Sequence, residues 1–357
     1  MAEGVSIIGN ISLEGARVLA TAVISFAVAL IVTPLVLQVL KRFNFGKQIR
    51  ASGKTPIFSE LHKGKEGTPT MGGVIIWGTV LFLAGLFFVL DALFDGFFSR
   101  LNFINRAETY LPIAALLIAA LMGIVDDLLG IFKKGQNSGW GIGIGHKIFI
   151  YIMIAVLGAW WFYYVLDWNV LHIPFWGNID VGWWYIPIFM FIMVASAFSA
   201  NETDGLDGLL GGVSLFAFSS FAVVAFALER YDLASMSAAV VGAILAFLWF
   251  NIYPAKFFMG DTGSMALGIT MGMMAMLTNT LFILPFFAII LVIESTSVII
   301  QKISKKFWGR KIFLSTPIHH HFEAIGWPES QVTMRFWIIS IVFSGLGLAI
   351  FFLDRLS

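Results

Sequence analysis

The chain has 357 residues, 59% of them hydrophobic and 12% charged, with no cysteine and a formal net charge of +1. Its mean hydropathy is +0.89. Globular chains carry about 25% charged residues, so this composition excludes a soluble domain. The missing cysteines exclude disulfides and thiolate metal sites, and a near-neutral balance gives no reason to expect a nucleic-acid partner.

Crossing ~30 Å of hydrocarbon takes ~20 apolar residues. Ten segments meet that requirement: 17–40, 70–91, 109–129, 147–166, 182–200, 208–228, 236–253, 264–280, 283–301 and 333–353. The first lacks a basic stretch before it and is too long for a signal-peptide core, so it reads as a retained span. Lys63 and Lys65 then precede Gly67 to Gly73, which opens the second span; taken alone the lysines are ordinary flanking charges. The connection 92–108 mixes apolar and polar residues (Phe94, Phe97, Phe98, Leu101, Phe103, Ile104) and is expected to lie flat in the membrane interface.

The third span ends on Asp126 and Asp127. A helix C-terminus already presents partial negative charge, so two carboxylates there need a cation in answer, unless they simply reach interfacial water. They read as a general base or as Mg²⁺ ligands. Lys147 stands just inside the fourth span, which closes with Trp160, Trp161, Tyr163, Tyr164 and Trp168. Trp183, Trp184 and Tyr185 open the fifth, and together these form an aromatic belt.

Between spans five and six lies Asn201-Glu202-Thr203-Asp204-Gly205-Leu206-Asp207-Gly208. Charge next to hydrocarbon costs a few kcal/mol per group and is tolerated chiefly where it works. Asn201, Asp204 and Asp207 are spaced i, i+3, i+6, which on a helical turn gives roughly one face. An N-cap with acidic first-turn residues explains one of these acids but not the set. After span seven come Phe257 and Phe258, a candidate base-stacking pair, then Gly260-Asp261-Thr262-Gly263-Ser264 before span eight. That segment reads as a phosphate cradle at a helix N-terminus or as a plain N-cap at Asp261. The apolar run 264–301 would reach roughly 57 Å as one helix, and Asn279, Thr280 and Pro285 supply the break. His319, His320 and His321 follow in a basic connection; they cannot all face one metal, and they read as diphosphate ligands or as a solvated loop.

Numbering the connections alternately puts 17 of the 22 Lys and Arg on one side, leaving Arg17, Arg100, Arg106, Arg230 and Arg355 for the other. By the positive-inside rule the rich side is cytoplasmic and both termini are outside. Every acidic or histidine island falls on that cytoplasmic side. No internal repeat or linker shows, so residues 1–357 read as a single membrane-embedded catalytic domain. Carboxylates for a divalent cation and donors for phosphates suit phosphoryl transfer, with Mg²⁺ as the oxygen-loving metal. An ion-coupled secondary transporter is a distant alternative; it expects charge at the bilayer midplane and paired broken helices.

The chain resembles the bacterial phospho-N-acetylmuramoyl-pentapeptide transferases, within the polyprenyl-phosphate N-acetylhexosamine-1-phosphate transferase superfamily. The resemblance rests on Thr68 to Gly73 (TPTMGG), Asp126-Asp127, Asn201 to Gly208, Phe247 to Asn251, Phe258 to Asp261, and Pro317 to Glu323 followed by Gly326-Trp327. It implies a protein of the bacterial cytoplasmic (inner) membrane with ten spans and both termini outside. It also implies Mg²⁺-dependent transfer of phospho-MurNAc-pentapeptide from UDP-MurNAc-pentapeptide to undecaprenyl phosphate, giving lipid I and UMP. By motif position Asp126, Asp127, Asp261 and the triplet from His319 match the family's essential polar residues, with Asp261 as metal ligand. Lys65, Thr70, Asn201, Asp204, Asp207, Asn251, Phe258 and Gln301 fall where the family's nucleotide pocket lies, and Lys147, His320 and His321 join them as substrate-binding candidates. A homodimer and inhibition by nucleoside antibiotics are further implications. The sister class that transfers GlcNAc-1-phosphate from UDP-GlcNAc is the nearer alternative. Three positions depart from the family pattern: Glu202 stands in place of a leucine, Phe198 in place of an asparagine, and Gly130 in place of a lysine.

The expected reaction is a single displacement. Asp126, preferred over Asp127, deprotonates or orients the lipid phosphate, which attacks the β-phosphorus. A two-step route through an aspartyl nucleophile would use the same residues.

Overall fold

A computed structural model describes residues 2–46, 65, 67–94, 96–104, 107–132 and 142–356. Lys47, Arg50, Lys54, Lys63, Arg106, Lys133 and Lys134, counted above, lie outside these residues. The chain is an all-α polytopic membrane protein. Its first half runs α1 (Ala2–Arg42), α2 (Val74–Leu93), α3 (Phe97–Leu101), α4 (Ala107–Ile131) and α5 (Ile144–Trp160), the last prolonged by a π-helical turn at Trp161–Val165. A small antiparallel hairpin follows, β1 (Val170–Ile173) with β2 (Gly177–Asp180), pairing Val170 with Asp180 and Ile173 with Gly177. Then come α6 (Tyr185–Thr203), α7 (Leu209–Ala227), α8 (Tyr231–Asn251), α9 (Asp261–Leu277), α10 (Leu284–Phe287), α11 (Ile289–Trp308), α12 (Ile318–Ala324) and α13 (Glu329–Asp354).

Among the described residues eight helices are long and apolar enough to cross a membrane: α1, α2, α4, α5 with its turn, α6, α7, α8 and α13. The segments expected at 264–280 and 283–301 are occupied by α9 and α11. At 17 residues, α9 is about 25 Å long, and α11 carries Glu294 within it and Lys305 and Lys306 in its last turn. The break between them falls as expected: α9 ends at Leu277, Asn279 takes a positive φ of 52°, and Pro285 sits in the first turn of α10.

Helix α9 is the axis of the bundle. Every residue from Thr262 to Leu277 is buried, which fits a helix with no polar face to turn outward. It packs on α4 and α6, while α8 lies between α1 and α7, and α13 covers α7. Small residues set the spacing: a Cβ on Gly268 would stand 2.6 Å from the Ser196 carbonyl, and one on Gly123 would overlap the Asp261–Thr262 backbone.

Three expectations change. Leu101 and Phe103 are buried, Phe103 edge-on to Phe87 at 6.3 Å, so part of the 92–108 connection packs on protein instead of lying on the surface. Tyr185 leaves the aromatic belt for the core, while Trp160, Trp183 and Trp184 stay more than half exposed. The hairpin at 170–180 was not expected; its His172 reaches Asp354 (2.6 Å) and its backbone reaches Asn279 (3.0 Å), tying it to the ends of α13 and α9. At the opposite end of α9, the C-terminal parts of α4 and α6 meet the start of α5.

Candidate active site

The site begins with how α9 starts. Gly260 has φ 76° and ψ 173°, a conformation glycine adopts without strain, and a Cβ there would stand 2.6 Å from Asp127 and 2.9 Å from the Thr70 hydroxyl. Opening helices leave backbone N–H groups without partners. Asp127 fills that need from another helix: its carboxylate accepts from Asp261 N (3.1 Å) and Thr262 N (3.0 Å). It acts as an N-cap supplied in trans, with the favourable dipole such an acid enjoys. The Thr68–Gly73 segment buttresses the same junction. Phe258 N donates to Pro69 O, Gly72 N to Phe258 O and Gly73 N to Met259 O, each at 2.8 Å.

With its backbone held, Asp261 projects its carboxylate toward α5 and α6. Lys147 Nζ lies 2.8 Å from Asp261 Oδ2 and 2.5 Å from Asp126 Oδ2, bridging the two acids. Asn201 Nδ2 donates to Asp261 Oδ1 and to Ser264 Oγ (3.1 Å), and Asp126 Oδ1 accepts from Ile142 N. Asp126 is 3% exposed, whereas the Asp261 side chain keeps 24%, making it the more open acid. Three acids, Asp126, Asp127 and Asp261, thus gather at the start of α9, with the Lys147 ammonium bridging two of them. Among the described residues no three His, Asp or Glu converge as a closed metal cage. Mg²⁺ does not require one, because it is usually held by one or two carboxylates plus substrate phosphate oxygens. The all-oxygen donor set of Asp261 and Asp126 fits that chemistry.

A second cluster forms around Lys65. Its ammonium lies 2.6 Å from Asp207 Oδ1, pairs with Glu329, and stands 5.6 Å from the Phe258 ring centroid. Asn251 clamps the neighbouring backbone, its Oδ1 accepting from Gly208 N (2.9 Å) and its Nδ2 donating to Phe257 O (2.8 Å).

The histidines make a third cluster, on the short helix α12 and not in a solvated loop. His319 is fully buried, with Nδ1 3.0 Å from Glu294 Oε2; the contact is close but too poorly aligned for a hydrogen bond, and among the described residues Nε2 has no hydrogen-bond partner. Burial alone would depress this imidazole, but the nearby acids Glu294, Glu323 and Glu202 together raise its pKa above the ordinary histidine value. His320 Nδ1 meets Glu323 at 2.7 Å, and His321 Nδ1 accepts from Leu314 N (3.2 Å). The His319 and His320 rings meet edge-on with centroids 4.1 Å apart, while His321 turns away toward Leu314.

The 201–208 segment joins all three clusters. Asn201 touches Asp261, Gly205 lies against the His319 ring where a Cβ would overlap it, and Asp207 holds Lys65. The expected single helical face for Asn201, Asp204 and Asp207 does not form. Helix α6 stops at Thr203, and Asp204 leaves it with φ −76° and ψ 57°. The turn that follows sends Asp207 to the second cluster. Gln301 is spent locally: its amide bonds Ile312 N (2.9 Å), Phe313 N (3.1 Å) and Phe313 O (2.7 Å).

Sequence reasoning missed Glu294 and Glu329. Glu294 did carry a signal, being an acid inside an apolar segment; Glu329, beside a proline at a span's edge, carried none.

Residues 110–279 match the family described as glycosyl transferase family 4. Residues 65–76, around Lys65 and Thr70, match phospho-N-acetylmuramoyl-pentapeptide-transferase signature 1. Curated proteins bearing that transferase's name are similar along almost the whole chain. The one from Geobacillus sp. (strain WCH70) is 38% identical, covering 95% of this chain and 98% of the relative. That from Anoxybacillus flavithermus is 37% identical over 93% and 97%, and that from Bacillus subtilis (strain 168) is 36% identical over 334 residues.

Proposed function

The chain belongs to the phospho-N-acetylmuramoyl-pentapeptide transferases, and from that premise we propose how its three clusters divide the work. The enzyme is a phosphoglycosyl transferase that moves phospho-MurNAc-pentapeptide from UDP-MurNAc-pentapeptide to undecaprenyl phosphate, forming lipid I and UMP. The observation that carries the division is the 201–208 turn, which brings an acid–lysine cluster, a lysine–acid cluster and a histidine helix to one end of the bundle.

An oxygen of the lipid phosphate attacks the β-phosphorus of the nucleotide sugar. A phosphate–phosphorus bond forms, the bond to the α-phosphate oxygen breaks, and UMP leaves. The lipid phosphate is mostly dianionic at neutral pH, so Asp126 has to orient it, and takes a proton only from the monoanion. Asp261, with Asp126 as a second carboxylate, would hold Mg²⁺, whose charge offsets that of the diphosphate and the departing UMP. Lys147 fixes both acids and answers phosphate charge. Asp127, with both oxygens committed to α9, serves as a positioning residue. Lys65, Thr70, Asn201, Asp204, Asp207, Asn251 and Phe258 form the nucleotide side. His319 braces the 201–208 turn, leaving His320 and His321 for the sugar diphosphate, and Gln301 shapes the loop before them.

The same reading makes residues 1–357 one catalytic domain with ten spans, α9 and α11 completing the eight. The site then faces the cytoplasm, both termini lie outside, and the protein resides in the bacterial cytoplasmic membrane. The lysine and arginine bias supports that orientation. A homodimer and competition between UMP and nucleoside antibiotics at this site belong to it too.

Single-turnover conversion of undecaprenyl phosphate tests the reading, with Mg²⁺ and either UDP-MurNAc-pentapeptide or UDP-GlcNAc as donor. Lipid I and UMP should form from the first donor alone, and Asp261→Ala or chelation of Mg²⁺ should abolish them. Turnover with UDP-GlcNAc instead would place the chain in the sister class.

A further inference from the structure

Helix α13 was expected to be a membrane span and nothing more. Its first turns nevertheless present Glu329, Thr333 and Trp337, spaced i, i+4, i+8 and so on one face. All three bond the turn that links the clusters. Glu329 Oε1 accepts from Asp207 N (2.7 Å), Thr333 Oγ1 donates to Asp207 O (3.2 Å), and Trp337 Nε1 donates to Gly208 O (3.1 Å). Gly212 extends the fit, since a Cβ there would overlap the Trp337 indole. Glu329 goes further than the other two, because the same oxygen also pairs with Lys65 Nζ.

We propose that Glu329 is a positioning residue of the transferase, holding the Lys65 ammonium against Asp207 so that it meets the nucleotide diphosphate pre-oriented. This deepens the proposed function and rests on its placing Lys65 in the nucleotide pocket. An ammonium has three donors. Among the described residues Asp207 and Glu329 take two of them, and the third is directed by the other two. Asp207 is itself fixed, with its second oxygen accepting from Ala255 N at 3.0 Å. A free lysine would have to give up its rotamer freedom on binding substrate, whereas here the side chain is 19% exposed and already ordered by two acids. Glu329 therefore acts through Lys65. Because α13 follows α12 directly, the same contact ties the histidine helix to the lysine.

The test is a double-mutant cycle on purified full-length enzyme, using Glu329→Ala, Lys65→Ala and the pair. Equilibrium binding of UMP is read beside kcat and KM for the donor that the wild type uses. Glu329→Ala should weaken UMP binding and raise KM about tenfold, the loss expected when one long side chain must be ordered at binding, with kcat within about twofold. In the Lys65→Ala background the same substitution should cost far less, only what its bond to Asp207 N contributes. Glu329→Gln keeps an acceptor for Asp207 N and Lys65, so it should recover most of the affinity; Glu329→Asp, one methylene too short to reach both, should show the loss and stands in if the alanine variant fails to fold. A full tenfold effect of Glu329→Ala without Lys65 would overturn the proposal, as would a loss of kcat and melting temperature with UMP affinity intact. Failure of the proposed function would show differently, as wild-type turnover of another donor.

Discussion

Asp126 and Asp127 are neighbours in the chain and opposites in their surroundings. Asp127 spends both oxygens on the first N–H groups of α9; Asp126 faces Lys147. Removing an N-cap acid costs about 0.5–2 kcal/mol. Asp127→Ala should therefore lower the melting temperature in detergent by several degrees and reduce turnover through a displaced Asp261. Asp126→Asn preserves shape and should abolish lipid I formation while leaving the melting temperature within about 1–2 °C of wild type, by the same conversion. Thermal denaturation beside single-turnover assays of both variants separates the roles; equal loss of stability in the two would merge them. The distinction was not legible in the pair Asp126-Asp127, because it depends on a helix start that is 134 residues away.

Helix α12 is the element whose character changes most between sequence and structure. Seven residues form it, and its anchor is the fully buried contact between His319 and Glu294 of α11. Against the effect of burial, Glu294 with Glu323 and Glu202 holds the folded-state pKa of His319 above the ordinary value near 6.5. The linkage sign follows: the stabilisation is fully present below about pH 6.5 and is lost as pH rises through the higher folded-state value. Melting temperature should thus fall from pH 6 toward pH 9, and His319→Gln should flatten that slope. A wild-type profile as flat as the variant's would show that the pair contributes nothing to pH-dependent stability. Charge patterning found α12's basic surroundings but offered no sign of helix; its order comes from Glu294, Glu323 and the loop that Gln301 pins.

At the scale of the molecule, the contacts divide the bundle into two ends. Asp126, Lys147, Asn201 and Asp261 meet at one; the hairpin, Asn279 and Asp354 meet at the other. Sidedness is testable because the chain has no native cysteine. Trp176→Cys, at a hairpin position 83% exposed, should react with a membrane-impermeant maleimide in intact cells. Lys311→Cys should react only after permeabilisation. The reverse pattern would invert the proposed orientation and put the transferase clusters outside.

Membrane class, the positions of the apolar segments, the bias of lysine and arginine, and the motifs that mark the family are all legible along the chain. Each of these is local: hydrophobic runs, turn residues and charge counts are read within a few residues of one another. Tertiary structure alone decided which acid caps α9 and which faces Lys147. It split Asn201 from Asp207 by ending α6 at Thr203, and it gave Lys65 its two carboxylates from 142 and 264 residues away. Pairing at such distances is set by how buried helices pack, since a charge left without its partner in a low-dielectric interior is expensive, and no spacing along the chain records which partner it finds.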